Sequence, residues 1–431
     1  QTATVYEPWI LDYNNPADSA ATGDNVVDNV EQVYIALADS GDYWVRVTHK
    51  GSLVHGLPWS TEDQDYSLLC SEPITYAPSH RHYVSTAGSN TIPYDTPATA
   101  ATMISSALAV AETGDSVFVE SKTFNELSLF MTKGVLLSGG WGGSFVLRDI
   151  FEGKTIVNII NPIEIEAGAA PVVIDGFVIQ GGVGTYGGGL RVDDSDVTIR
   201  NCLVQQNQAH DGTFGYGGGI YASQSAIQLH STNVSNNTAG RGGGIYLDGC
   251  SATIDSSTIS NNDLVFGGVD SPDGGGIYVV NSTTVNVAGN LIAGNVADAE
   301  SANEAKGGGV YVESTLVFSM NGDVVSHNTA GESAAAGYGA GIHAVGSSLT
   351  LSRVDVSNNS AKTIGGGIFT DTGSSLVLEK SRVMWNTAII GGGTYLNGSE
   401  STIEHNLFVG NNATGCYILA AAAGSFVGNT L

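Results

Sequence analysis

Eight of the 42 carboxylates of this chain gather in four stretches, its most concentrated chemistry-bearing residues. Residues 208–216, 263–273, 296–306 and 329–338 hold Asp211, Asp263, Asp270, Asp273, Asp298, Glu300, Glu304 and Glu332, together with His210 and Lys306. Oxygen ligands at this density could take calcium, although the repeated Gly-Gly-x-Gly-x-Asp nonapeptide of calcium-binding solenoids is missing. Other constellations are weaker. Gly153-Lys154-Thr155 is the one Gly-Lys-Thr, and Arg148 stands where a phosphate-binding loop needs glycine. Asp193, Asp194 and Asp196 lie near a turn, and Arg353, Lys380 and Arg382 fall in later strands. Cleavage of a polysaccharide would need such groups gathered on one sheet, and no recognised catalytic motif joins them. Cys70, Cys202, Cys250 and Cys416 are scattered without a CxxC, which excludes a zinc knuckle and reads as buried thiols. No cofactor is required, and calcium is the one ion the acidic stretches suggest.

The charge balance narrows the partners. With 42 acidic against 15 basic residues and a formal charge of −27, the chain lacks the Lys/Arg clusters that bind nucleic acid or anionic membrane. No apolar run approaches the roughly 20 residues of a membrane helix. A start at Gln1 without methionine reads as a mature or trimmed product.

A repeat positions the acidic stretches. Glycine triplets begin at Gly187, Gly217, Gly242, Gly274, Gly307, Gly339 (as Gly-Ala-Gly), Gly365 and Gly391. Each is followed after 20 or 21 residues by an asparagine: Asn207, Asn237, Asn262, Asn295, Asn328, Asn359, Asn386 and Asn412. All length variation lies between an asparagine and the next triplet, so the acidic stretches leave one corner of a repeating coil. Insertions on one face of a solenoid commonly mark its working surface. Between the landmarks the apolar residues have period two, as Ile245/Leu247, Ala252/Ile254 and Ile259 show. Three short strands per coil cannot bury their own apolar face, and stacking coils does so through parallel pairing. The fold class is therefore all-β, a parallel β-helix, right-handed by crossover chirality. The asparagines stack as a ladder, and the glycines form the tight corner. The row after each triplet's first apolar residue, with Tyr221, Tyr246, Tyr278, Tyr311, Phe369 and Tyr395 (and Arg191 and His343), points outward. It reads as a stacked ladder or as an exposed ribbon for glycan or protein.

Gly242-Gly243-Gly244-Ile245 and Ile259-Ser260-Asn261-Asn262, recurring as GGGIY and N-x-A, resemble the repeats of polymorphic outer-membrane proteins, which are right-handed β-helix surface proteins. The resemblance spans about residues 80–431 and implies a secreted or cell-surface location. Residues 79–135 resemble the cap and first coil of secreted β-helices. A helix is expected over about 97–112, N-capped by Asp95 or Thr96, with Pro97 at its first position and Gly114 ending it. Residues 136–431 then form the coils, and "CYILAAAAGSFVGNTL" stops inside one with no polar cap, a template for self-assembly.

Residues 1–78 differ in texture. Pro8-Trp9-Leu11-Asp12, Asp28-Asn29-Val30-Glu31 and Val47-Thr48-His49-Lys50-Gly51 resemble the later half of the jelly-roll domain that follows many subtilisin-like catalytic domains. The resemblance implies a small antiparallel β-sandwich fragment whose missing strands come from a protein partner or a retained, cleaved fragment of a larger precursor. His55-Gly56 lacks the partners of a serine protease triad. The resulting expectation is a non-catalytic structural or adhesive β-helix, part of an extracellular assembly or fibre, with a glycan as a candidate ligand. The alternative is a β-helix polysaccharide lyase or glycoside hydrolase.

Overall fold

Each glycine-to-asparagine unit folds as one turn of a parallel β-helix. In the turn that begins at Gly242, strands Ile245–Asp248, Ser251–Asp255 and Thr258–Ser260 follow one another, and a two-residue strand, Asp263–Leu264, comes after Asn262. Each pairs in parallel with its counterpart one coil on, with Ile245 opposite Ile277, Ala252 opposite Val285, Ile259 opposite Ile292 and Asp263 opposite Val296. Stacking yields sheet 1 (11 strands, containing Ile245–Asp248), sheet 2 (13 strands, containing Ser251–Asp255), sheet 3 (11 strands, containing Thr258–Ser260) and sheet 4 (7 strands, containing Asp263–Leu264). Sheet 4 is not expected from the three bursts of alternation, because two residues are too short to show a period.

Alternation places Ile245, Leu247, Ala252, Ile254 and Ile259 in the shared core, each at most 5% exposed. The second residues of the sheet 4 strands enter two small cores beside the main one: Ala209, Ala239, Leu264 and Ala297 pack with Ala305 and Ala334, and Ala330 and Ala361 with Ala340 and Ala388. These small cores account for the alanine of the N-x-A motif.

The computed structural model describes residues 9–10, 21–22, 80–210, 214–264, 272–298, 304–398, 400–413, 415–419 and 424–431. Two compact units are present, Gln1–Ile74 and Thr75–Leu431. The sandwich fragment expected over residues 1–78 lies outside the described residues, save for an antiparallel pair of Trp9–Ile10 with Ala21–Thr22.

The turns share one construction. A residue with positive φ is followed by a buried polar one: Gly249 then Cys250, Ser256 then Ser257, Asn261 then Asn262. The left-handed residue reverses the chain, and the next side chain satisfies a backbone group of the neighbouring coil. Asn262 is typical. Its Oδ1 accepts from the N–H (3.1 Å) and Nδ2 (3.0 Å) of Asn237, and its Nδ2 donates to the Val234 carbonyl at 3.0 Å and to Asn295 Oδ1 at 2.9 Å. The file runs from Asn207 through Asn237, Asn262, Asn295, Asn328, Asn359 and Asn386, and its next member is Asn411, which accepts from Asn386 Nδ2 at 3.0 Å. The expectation of Asn412 is thereby corrected, since that side chain instead accepts from the Ala388 N–H.

Two further ladders are built of mixed residue types. Between sheets 2 and 3, the Thr232 N–H donates to Ser257 Oγ (3.0 Å), the Ser257 N–H to Asn290 Oδ1 (2.8 Å) and the Asn290 N–H to Asp323 Oδ1 (2.8 Å). Between sheets 1 and 2, Ser195 is paired with Ser225, Cys250 with Ser282 and Thr315 with Ser347 in the same way. Cys202 and Cys250 occupy ladder positions, where burial pushes each thiol up to about 11, so both are protonated and inert at neutral pH.

The cap departs from expectation. Its helix, α1, runs Ile104–Val110 and has no side-chain cap of its own. Thr96 and Thr99 instead close a local turn, the Thr99 N–H donating to Thr96 Oγ1 at 3.2 Å. The carboxylate of Glu126, on the strand Thr123–Glu126, accepts from the Ile104 N–H (2.6 Å) and from Ser105 Oγ (2.8 Å). A distant carboxylate thus does the work expected of Asp95 or Thr96. At the other end, Ile418, Phe426 and Leu431 are exposed around a cavity of about 500 Å³.

Candidate functional site

The corner between sheets 4 and 1 carries the residues with chemical potential, and its geometry follows from the glycine triplets. Gly242, at φ +60°, turns the chain, and Gly243 and Gly244 lie against the next coil. A Cβ on Gly243 would come 2.5 Å from the Gly275 carbonyl oxygen. Only glycine fits so close a backbone approach.

The residue before each triplet forms one file: Tyr186, Tyr216, Arg241, Asp273, Lys306, Tyr338, Ile364 and Ile390, joined through Tyr186–Tyr216, Tyr216–Arg241, Asp273–Lys306, Tyr338–Ile364 and Ile364–Ile390 bridges and the bonds from the Gly242 N–H to the Asp273 carbonyl and the Gly307 N–H to the Tyr338 carbonyl. Charges therefore alternate along Arg241, Asp273 and Lys306. Burial opposes the Lys306 charge, but Asp273 and Glu304 (2.9 Å away) more than offset it and hold the amine above its ordinary value.

Beside this file lie the aromatics that follow each triplet. Tyr221, Tyr246, Tyr278 and Tyr311 stack at ring separations of 5.6, 4.7 and 4.9 Å, and beyond His343 the column continues through Phe369 and Tyr395 (5.1 Å). The outward direction read from alternation holds, but an exposed ribbon is not what results. Tyr278 and Tyr311 are 3% and 4% exposed, because each ring covers the next and the neighbouring file walls them in. Tyr278 OH donates to Glu313 Oε2 at 2.8 Å, and burial pushes the phenol far above its ordinary range.

His343 is the misfit in the column. Packed between Tyr311 (5.3 Å) and Phe369 (4.5 Å), it is 1% exposed and neither ring nitrogen has a well-aligned partner. Burial first, and the Lys306 charge second, push it down to about 3, with the Tyr338 backbone offsetting little. The folded state thus excludes a proton that the unfolded chain binds below about pH 6.5. Stability is full above that pH and is lost at up to about 1.4 kcal/mol per unit as pH falls toward 3. His343→Phe, matching Phe369 in the same column, should raise the denaturant midpoint at neutral pH and flatten its decline between about pH 6.5 and 4. An unchanged acid slope in the variant would show that the ring is not the source.

The expected acidic residues are not drawn into one site. Asp211, Asp270 and Glu300 lie outside the described residues. Asp273 is buried in the charged file, Asp263 sits in sheet 4, and Asp298 accepts from the N–H groups of Ser333 (2.7 Å) and Ala334 (2.8 Å), fixing the loop of the next coil. Glu304 pairs with Lys306, and Glu332 is exposed. Among the described residues no three His, Cys, Asp or Glu side chains come together as a metal site.

The basic residues considered for polysaccharide cleavage are also apart and engaged. Arg353 donates to Asn321 Oδ1 (2.7 Å) and Arg382 pairs with Asp355 (2.6 Å), while Lys380 lies 3.9 Å from Glu379. Sequence reasoning did not single out a shallow groove of about 280 Å³ on the outer face of sheet 2, lined by Thr198, Arg200, Gln228, Leu229, His230, Thr253 and Asp255. Its His230 and Asp255 are paired across adjacent strands. Their one-coil separation was the available signal, hidden because neither belongs to a repeated motif.

A family model described as "Right handed beta helix region" matches residues 109–292, 161–352 and 243–431. The chain belongs to the right-handed β-helix family. A similar solved structure is that described as "Crystal structure of pectate lyase Pel9A", 12% identical, covering 81% of this chain and 79% of that chain at a TM-score of 0.37. No curated protein matches the sequence. Within this β-helix the glycine corner is a close-packed seam beside a small core of its own, and no helix among the described residues is long and apolar enough to cross a membrane.

Proposed function

We propose that this β-helix is a non-catalytic structural and adhesive element displayed outside the cell. On this reading it resembles polymorphic outer-membrane-protein repeats, and it is processed from a larger, protease-like precursor that supplies a partner for residues 1–78. The corner would be its contact surface, with glycan or protein as ligand and calcium as a candidate bridging ion for the acidic loops. The carrying observation is that the coil arginines Arg148, Arg191, Arg200, Arg353 and Arg382 are committed within the molecule, whereas Lys122 and Lys380 stay exposed. Arg148 and Arg200 both hold Asp175, Arg191 holds Asp193, and Lys154 and Lys362 donate to backbone carbonyls. A lyase or hydrolase needs such groups free to meet substrate. Support also comes from three hydrogen-bond ladders, which stiffen the stack without presenting reactive groups.

The sheet 2 groove favours a second reading, a glycan-active enzyme working through His230 and Asp255. Incubation with neutral and acidic polysaccharides, with product chain length measured, separates the two. Binding to an immobilised surface or glycan with no shortening of the polymer is expected. Depolymerisation that disappears in His230→Ala would overturn the structural reading.

A further inference from the structure

The side-chain ladders along the coils differ in kind from the side chains that hold the cap on, which act beside the backbone pairing of Arg81–Val84 with Ser116–Val119. The buried Asp175, with Arg148 and Arg200, is an ionic exception within the coils. Along the coils the ladders are amides and hydroxyls, such as Asn262, Ser257 and Ser282, which do not titrate. Asp323 is a carboxylate in a ladder, and burial already pushes it up toward its neutral form.

At the cap, three buried carboxylates of the first coil hold three separate pieces. Asp115 accepts from the N–H groups of His80 (2.7 Å) and Glu112 (2.7 Å) and faces His82 Nε2 at 3.1 Å. Glu120 accepts from Ser85 Oγ at 2.7 Å, where the loop leaves the strand Arg81–Val84. Glu126 caps α1, as described above. These carboxylates are 2%, 8% and 3% exposed. The Nδ1 of His82 lies 2.7 Å from the Pro93 carbonyl oxygen, so oxygens face both nitrogens of the buried ring.

We propose that the cap is an acid-released lid: protonation of Asp115, Glu120 and Glu126 detaches residues 80–111 from the first coil while the coils beyond stay stacked. A protonated carboxyl gives up its charge-assisted bonds, and a neutral Asp115 no longer offers His82 Nε2 a charged acceptor. The other groups facing these acids do not compensate. His80 also faces Asp115, with Nδ1 3.8 Å from Oδ1, and Lys133 is engaged with Glu112 at 2.8 Å. Ser85 and the Gly143 backbone face Glu120, and Ser105 and the α1 backbone face Glu126. Burial works against the Asp115 charge, but the Glu112 N–H, His82 and the His80 N–H outweigh it and hold the carboxyl below its ordinary range. Its contribution is therefore present above that range and lost as pH falls through the lowered value. Release breaks the pairing of Arg81–Val84 with Ser116–Val119 and uncovers the strands Ser116–Glu120, Thr123–Glu126 and Leu129–Met131, against which α1 packs.

Hydrogen exchange of the full chain, read by mass spectrometry in steps from about pH 7 to about pH 3 and corrected for intrinsic rates, tests this. Peptides within 81–110 should lose protection about 10- to 100-fold while those covering 245–264 keep theirs. Asp115→Asn combined with Glu120→Gln and Glu126→Gln should reproduce that pattern at neutral pH. Loss of protection in cap and coils at one common pH overturns the proposal, as does a folded triple variant whose cap stays fully protected. If the triple variant does not fold, the wild-type profile and Glu126→Gln alone decide.

Discussion

Gly218→Ala should abolish the cooperative unfolding transition followed by circular dichroism and drive the chain into aggregates. A Cβ there would stand 2.3 Å from the Gly243 carbonyl oxygen and 2.5 Å from that of Thr238. Both obstacles are backbone and both are fixed, since the Gly218 N–H bonds to Gly242 and the Thr238 N–H to Asn207. No rotamer relieves the overlap, so two coils must separate and break the neighbouring bonds from Gly219 and Ile220 to Gly244 (3.0 and 2.9 Å). The cost exceeds about 4–5 kcal/mol, comparable with the whole stability of a typical domain. Gly289→Ala is the control. It has φ +65° but nothing within 4 Å of an added Cβ, so only the left-handed backbone is charged against it, about 1 kcal/mol. Equal midpoints for the two variants would show that close stacking is not why the triplets exist.

Asn262→Ala should lower the unfolding free energy by about 3–5 kcal/mol, measured from the denaturant midpoint at constant slope. The substitution strips Asn237 of the acceptor for both its N–H and its Nδ2, and leaves the Val234 carbonyl and Asn295 Oδ1 short of a donor. All of these groups are buried away from water, where an unmade bond carries its full desolvation penalty. Asn412→Ala, at a partly solvated turn with a single bond to the Ala388 N–H, should cost about 1 kcal/mol or less. A comparable loss in both would remove the distinction between ladder and surface asparagines.

The coil and its phase were legible because the asparagine ladder uses one residue type at one distance from the triplet. The companion ladders were not, since Thr232, Ser257, Asn290 and Asp323 do the same work with four different side chains. What unites them is a buried oxygen next to a left-handed residue, and neither property is a letter of the sequence. The asparagine pair Asn411-Asn412 misled for a related reason: two identical residues are adjacent, and only register chooses between them. Alternation gave the correct face for Tyr246 and Tyr278, but burial there depends on rings one coil away and on Arg241 and Asp273 alongside. Exposure of such a column is a property of the stack. The start of α1 was hidden because Glu126 reaches it from a strand 22 residues on.

The direction of the backbone hydrogen bonds has a mechanical consequence. The strands run across the axis, so the bonds between coils, and the three ladders with them, point along it. A pull on the two ends of the solenoid therefore does not shear a sheet. It loads the interfaces between coils in series, and an end coil, held by a neighbour on one side alone, separates first. A stack loaded this way yields in steps of one coil, and the coils that remain keep their pairing while chain is released.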